Sequence, residues 1–231
     1  MRYSRQERLK EIGGKGQSIL SKKTVTIVGL GALGTNTAQL LARSGINLKL
    51  IDFDKVDLTN LQRQALYEES DINKQKVKTS FNKLKKINSE IKIEIFNERL
   101  NNNNLNLLNS DLVIDCTDNL TARFLINDYC YNKIPWIHTA AIKYTGVIFN
   151  ILPKKPCLKC IYKTNLDLER CEEFGVLNTI VSLTSSIAAT QAIKILLKKP
   201  IEESLIRFNI WSNEIEKIKV NKTCEKCLKS L

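Results

Sequence analysis

The sequence predicts one α/β domain around a mostly parallel, doubly wound sheet, and three observations carry that expectation. The chain has 231 residues, about what a single α/β domain holds. Apolar runs of strand length alternate with segments of helical periodicity as far as residue 139. A Gly-x-Gly-x-x-Gly turn directly follows the first of those runs. At 43% hydrophobic and 26% charged, the composition supports a full core and excludes a disordered or fibrous chain.

The elements follow in order. The opening MRYSRQERLKEIGG is charged where a secretory leader needs an apolar region, so residues 1–22 read as a helical arm. Runs at 24–28, 48–52, 91–96, 111–116 and 135–139 read as buried strands, with helices between them at 33–43, 74–87 and 121–132. Strands apolar on both faces belong in a parallel sheet covered by helices on each side. From Gly146 the pattern changes to a strand at 147–152, a cysteine-rich knuckle, a helix at 183–198, and strands at 204–210 and 214–220 joined by the polar turn WSNE. That order implies an antiparallel extension of the sheet. The asparagine run 101–104 reads as a surface turn or a helix start. No stretch reaches 18 consecutive apolar residues, so the expectation is a soluble, cytoplasmic protein with no membrane contact.

Composition narrows the chemistry. A Ser-His-Asp triad or polyhistidine metal centre would have to be built on the single histidine, His138, which reads instead as structural or substrate-lining at a strand end. The net charge of +12 would favour acidic partners, but the lysines are spread along the chain. A solvated basic surface therefore explains the charge more simply than a nucleic-acid groove. The seven cysteines, in a chain read as unexported, argue against a disulfide scaffold. Cys116 and Cys130 read as buried packing residues.

The segment TVTIVGLGALGTNTAQLLARSG places Gly29, Gly31 and Gly34 between a strand and a helix. Such a Rossmann-like turn lets backbone approach a phosphate and aims the positive helix end at it; the alternative is a tight packing turn with no ligand. LIDFD follows, where Asp52 or Asp54 can accept hydrogen bonds from a ribose. Beyond it stand Asn60, Gln62, Arg63 and Gln64, then Lys76. Cations beside a nucleotide's phosphates suit phosphoryl or nucleotidyl transfer better than hydride transfer. Taken singly, Arg63 is equally a helix-surface ion pair and Lys76 a solvated lysine. DCTDN brings Asp115, Asp118 and Asn119 to the end of the fourth strand, where a carboxylate can hold Mg²⁺ or cap the next helix.

Cys157 and Cys160 with Cys224 and Cys227 form two C-x-x-C pairs, the ligand set of a structural Zn²⁺ site. The 63 residues between the pairs exceed the spacing of a compact finger, but a folded domain can bring its C-terminus back. Nearby Lys154, Lys155, Lys159, Lys222, Lys226 and Lys229 favour thiolates and partly offset the charge of a metal–Cys₄ centre.

Together, RYSRQ, GLGALG, DFDKVDLTNLQRQ, KQKV, DCTDN, PCLKC and CEKC resemble the ThiF/MoeB family of ubiquitin-activating-enzyme-like adenylyltransferases, over nearly the whole chain. The resemblance implies ATP- and Mg²⁺-dependent adenylation of the C-terminal glycine carboxylate of a ubiquitin-like sulfur carrier ending in Gly-Gly, with release of pyrophosphate. It implies that Gly34 approaches the phosphates, Asp54 holds the ribose, Asn60, Arg63 and Lys76 clamp the phosphates, and Asp118 binds the metal. It implies an obligate homodimer in which Arg5 reaches into the partner's site. Cys171 matches a position where some members link covalently to the carrier, although Asn178 and Thr179 replace the family's small residues after GVL. The expected organisation is one domain over 1–231: the arm 1–22, a nucleotide-binding core 23–145, and a carrier-binding and zinc region 146–231. Because the sequence stops four residues after Cys227, an external sulfur donor is expected in place of a fused rhodanese domain. Three rivals remain: activation of a carboxylate on modified tRNA, an NAD-dependent oxidoreductase, and a catalytically silent binding partner.

Overall fold

The structure, a computed structural model, describes residues 2–162 and 175–228. The arm holds two short helices, α1 (Ser4–Glu7) and α2 (Gly13–Leu20). The alternating core runs β1 (Thr24–Val28), α3 (Ala32–Arg43), β2 (Asn47–Ile51), α4 (Lys76–Ile87), β3 (Ile93–Phe96), β4 (Leu112–Asp115), α5 (Leu120–Cys130) and β5 (Trp136–Ile142). Then come β6 (Thr145–Ile151), α6 (Asn178–Leu196), β7 (Leu205–Asn209), β8 (Glu214–Ile218) and a short α7 (Glu225–Leu228).

The eight strands of the described residues form one sheet in the order β3-β2-β1-β4-β5-β6-β7-β8. Strands β3 to β5 pair in parallel, and β5 to β8 pair antiparallel. The expected architecture is therefore present, with helix boundaries displaced: α6 starts at Asn178 rather than 183, because Asn178, Thr179 and Ser182 supply its polar first turn. The asparagine run does precede a helical turn: Asn104 Oδ1 accepts from Asn101 N at 2.8 Å at the start of a 3₁₀ turn, Leu105–Leu108.

Side chains alternate along the strands and fill two cores. Val25 and Ile27 of β1, Leu48 and Leu50 of β2, and Ile206 and Phe208 of β7 pack beneath α3, α4 and α6. Val28, Val113, Trp136 and Phe149 face the other way, against α5 and the cysteine knuckle. Helix α6 has 19 residues and is apolar enough on average to match a membrane span, but its buried positions face α3, β5 and β6. Strand β8 is exposed at every position and carries Glu214, Glu216 and Lys217, charges that blunt an open sheet edge.

Strand order reverses between β1 and β4, which lie side by side while their connections leave in opposite directions. Ligands of open parallel sheets bind in the crevice beyond the strand ends at such a reversal.

Candidate functional site

The glycine turn lies at that crevice. Gly29 has φ +89°, and a Cβ there would stand 2.7 Å from the Cys116 carbonyl oxygen. A Cβ on Gly34 would stand 1.9 Å from the Gly29 carbonyl oxygen. These two glycines let the first turn of α3 close onto the ends of β1 and β4, so the requirement visible at Gly34 is one of packing. Gly31 differs: outside its own chain neighbours, the one atom of the described residues within 4 Å of its missing Cβ is Gln64 Nε2, at 3.8 Å. It is the N-cap of α3 and makes no side-chain cap. The first amides of α3 are thus left without a side-chain cap from Gly31 at the positive end of the helix dipole, an arrangement suited to an anion.

The two acids after β2 part company. Asp52 is 8% exposed and accepts from Leu30 N at 2.6 Å and Asp54 N at 2.7 Å, tying β2 to the glycine turn. Burial pushes its carboxyl up, against the pull of Lys76. Asp52 is therefore structural and Asp54, exposed, is the acid left for a ligand. Lys76 Nζ lies 3.1 Å from Asp54 Oδ2, and the lysine side chain is only 8% exposed. The solvated-lysine reading fails. Arg63 folds back on its own turn, donating from Nη1 to the Thr59 carbonyl at 3.1 Å and from Nη2 to Asn60 Oδ1 at 3.0 Å. Those acceptors are neutral, so the ion-pair reading does not describe it. Gln62 is exposed, whereas Gln64 is 3% exposed. The segment is fastened to α3 where Asn36 Nδ2 donates to the Arg63 carbonyl at 3.3 Å, and Tyr67 Oη donates to the Leu30 carbonyl at 3.0 Å.

Beyond β4 the three candidates also divide. Asp115 is fully buried: Oδ2 meets His138 Nδ1 at 2.8 Å and Arg123 Nε at 3.4 Å, and Oδ1 accepts from Thr117 N at 3.0 Å. It cannot offer a carboxylate to Mg²⁺, and it is withdrawn from that role. Burial pushes the Asp115 carboxyl up, but His138, Arg123 and Thr117 more than offset it and hold it below the ordinary range. Burial lowers His138, which is 0% exposed and completes a chain through Nε2 to Tyr162 Oη at 3.1 Å; its place is structural. Asn119 Oδ1 accepts from Ala122 N at 2.9 Å, so it caps α5. Asp118, exposed between β4 and α5, is the carboxylate left facing outward. Burial raises the Cys116 and Cys130 thiols to about 12, in keeping with inert packing residues.

The four knuckle cysteines come together with their sulfurs within 4.8 Å of one another. Cys224 Sγ lies 3.5 Å from Cys157 Sγ and 3.6 Å from Cys160 Sγ. A disulfide needs about 2.05 Å. Zinc–sulfur bonds of about 2.3 Å put tetrahedral sulfurs about 3.8 Å apart, which this cluster nearly matches. Burial raises Cys160, but amides from Cys224, Thr223 and Cys157 outweigh it and bring the thiol to about 7. Lys159 and Lys226 do not face the sulfurs alone: each pairs with Asp128, at 2.8 and 3.2 Å.

A family model described as the ThiF family matches residues 3–229. The chain belongs to the ThiF family. It is 35% identical to the molybdopterin-synthase adenylyltransferase of Escherichia coli (strain K12), across 98% of this chain and 96% of that one. It is 32% identical to the sulfur carrier protein ThiS adenylyltransferase of Bacillus subtilis (strain 168), across 94% of this chain and 67% of that one. Among solved structures, E. coli MccB with ATP superposes with a TM-score of 0.86 at 25% identity, covering 98% of this chain and 74% of that one.

Two expected site residues of this ThiF-family chain stand apart. Arg5 is exposed on α1, and the arm is fastened to the far ends of α3 and α4: Gln6 Nε2 donates to the Ser44 carbonyl at 3.3 Å and Asn88 Nδ2 to Tyr3 Oη at 2.8 Å. Twelve residues of α3, about 18 Å, separate that end from the glycine turn. Arg5 therefore does not join the crevice of its own chain. Cys171 lies outside the described residues. The burial of Gln64 and the Asp115–His138–Arg123 network were missed from sequence, because NLQRQ offers two glutamines with nothing to rank them and a lone histidine carries no spacing signal.

Proposed function

We propose that this chain adenylates the C-terminal glycine carboxylate of a ubiquitin-like sulfur carrier ending in Gly-Gly. The carrier oxygen attacks the α-phosphorus of ATP, a carboxyl–phosphate bond forms, the bond to the β-phosphate oxygen breaks, and pyrophosphate leaves. Anion approaches anion in this step, so the demand on the protein is for positive charge and alignment.

The observation that carries the reading is Lys76. A lysine 8% exposed, as the first residue of α4 and so at the positive end of a helix dipole, is poorly placed for stability. Its ion pair to exposed Asp54 offsets part of that cost, and an incoming triphosphate would offset the rest. Asp54 then holds the ribose, and Asn60 and Arg63 meet the phosphates. Asp118 suits Mg²⁺, which commonly takes one or two carboxylates plus substrate phosphates, and the ion would supply charge neutralisation. Cys157, Cys160, Cys224 and Cys227 would hold Zn²⁺, which would supply a structural crosslink.

The fastening of the arm far from its own crevice supports a homodimer in which each copy lends Arg5 to its partner's site. Carrier docking belongs to the antiparallel half, where Tyr144, Trp211 and Ile215 are 41, 76 and 70% exposed. A separate donor then supplies sulfur to displace AMP from the acyl-adenylate, in the cytoplasm. The test is ATP–pyrophosphate exchange with each candidate carrier beside a tRNA control. Exchange that depends on a carrier supports the reading; exchange that depends on tRNA, or hydride transfer with NAD, overturns it.

A further inference from the structure

We infer that Gln64 is a phosphate-binding residue, its side-chain amide donating to an oxygen seated in the space between Gly31 and the first turn of α3. The inference rests on the adenylation reading only in taking a nucleotide triphosphate as the occupant.

Gln64 is 3% exposed, and its Oε1 is buried with no hydrogen-bond partner among the described residues. Buried amides are nearly always paired, yet Nε2 too makes no hydrogen bond among the described residues, and Nε2 is the end that an anion can pair. Nε2 stands 3.8 Å from where a Cβ on Gly31 would be, with no other atom of the described residues, its chain neighbours aside, within 4 Å of that point. An anion oxygen entering the space comes within hydrogen-bond reach of Nε2 and of the uncapped α3 amides together. The amide is also held in place before any ligand arrives, because Asn36 and Tyr67 fasten its segment to α3 and the glycine turn at 3.3 and 3.0 Å. Gln62, two residues away, is exposed and has no such placement. A phosphate oxygen accepts and never donates, so the –NH₂ of glutamine fits this position, whereas a carboxylate would repel the ligand.

The test uses the full-length protein and two substitutions. Gln64→Met keeps the length of the side chain without its amide, and Gln64→Glu keeps the shape but exchanges the donor for an acceptor. Calorimetry gives the affinity for Mg-ATP, competition gives that for adenosine, and thermal unfolding without nucleotide reports the fold. Gln64→Met is expected to weaken Mg-ATP about tenfold, and Gln64→Glu about a hundredfold, as loss of a hydrogen bond to a charged group and added repulsion should. Adenosine affinity should stay within about twofold, and the Tm of Gln64→Met should hold or rise because an unpaired buried amide has been removed. A folded Gln64→Met protein with wild-type Mg-ATP affinity overturns the inference. So does an equal loss for ATP and adenosine with a lowered Tm, which would mark a structural glutamine. Wild-type protein that binds Mg-ATP but shows no carrier-dependent exchange overturns the adenylation reading and leaves the Gln64 comparison intact.

Discussion

Replacing Lys76 with methionine separates catalysis from stability. The side chain is 8% exposed, so its charge acts through a partly dehydrated medium, and a phosphate whose oxygen takes the place of Asp54 Oδ2 would have its charge centre somewhat farther from Nζ than that oxygen. At about 4 Å and an effective dielectric near 20, the attraction is about 4 kcal/mol. Asp54 is 48% exposed, so water reaches this edge of the site, and about 3 kcal/mol is the better figure. Losing it also leaves Asp54 uncompensated beside the nucleotide. At 1.36 kcal/mol per decade, adenylation falls about 10²-fold, read as kcat/KM in pyrophosphate exchange with carrier. Stability should move by less than about 1 kcal/mol in urea melts, since the ion pair is half-exposed and the helix dipole opposes a cation at its first residue. A folded Lys76→Met enzyme within threefold of wild type would refute the reasoning.

Protein purified without added metal should carry about one zinc per chain, and a strong chelator should lower its Tm by about 10 °C or more; less than about 0.2 equivalents with four freely titratable thiols would exclude the site. Asp115 and His138 both have folded pKa values below their unfolded ones, so each contributes stability above its unfolded value and loses it as pH falls. The urea midpoint should therefore stay level above about pH 7, decline from about pH 6.5, and drop more steeply below about pH 4. Asp115→Asn should cost about 3 kcal/mol at neutral pH by leaving Arg123 and His138 without their charged acceptor, and a loss below about 1 kcal/mol would contradict that network. Arg5→Ala and Arg63→Ala homodimers should each be weak, and mixing them under verified subunit exchange should restore part of the activity by assembling one site with both arginines.

The fold was legible because its signals are local. Strand β1 was read to the residue, since Val25, Ile27 and Val28 stand between a lysine pair and a glycine. The knuckle was legible because two C-x-x-C pairs permit few other readings. The division of labour among neighbouring acids was not: Asp52 and Asp54, or Asp115 and Asp118, differ only in which side chain turns inward, and strand register decides that. His138 becomes structural through its pairing with Asp115 across β4 and β5, a contact 23 residues apart that leaves no trace in spacing. Lys76 looked like any of the lysines around it until α4 placed it at a helix start beside Asp54.

The knuckle also imposes an order of assembly. Cys157 and Cys160 leave the ribosome before α6, β7 and β8, and their companions follow only after 63 more residues. At about 5–20 residues per second, the first pair waits roughly 3–13 seconds as two exposed thiols, one with its pKa brought near 7 only once Cys224 and Thr223 arrive to donate to it. During that interval metal can be held by no more than half its ligands, and oxidation or a wrong partner competes with capture. If the four cysteines take up a metal, as proposed, its availability during synthesis should affect the fraction of chain that folds, measurable as soluble yield with and without a chelator in the growth medium.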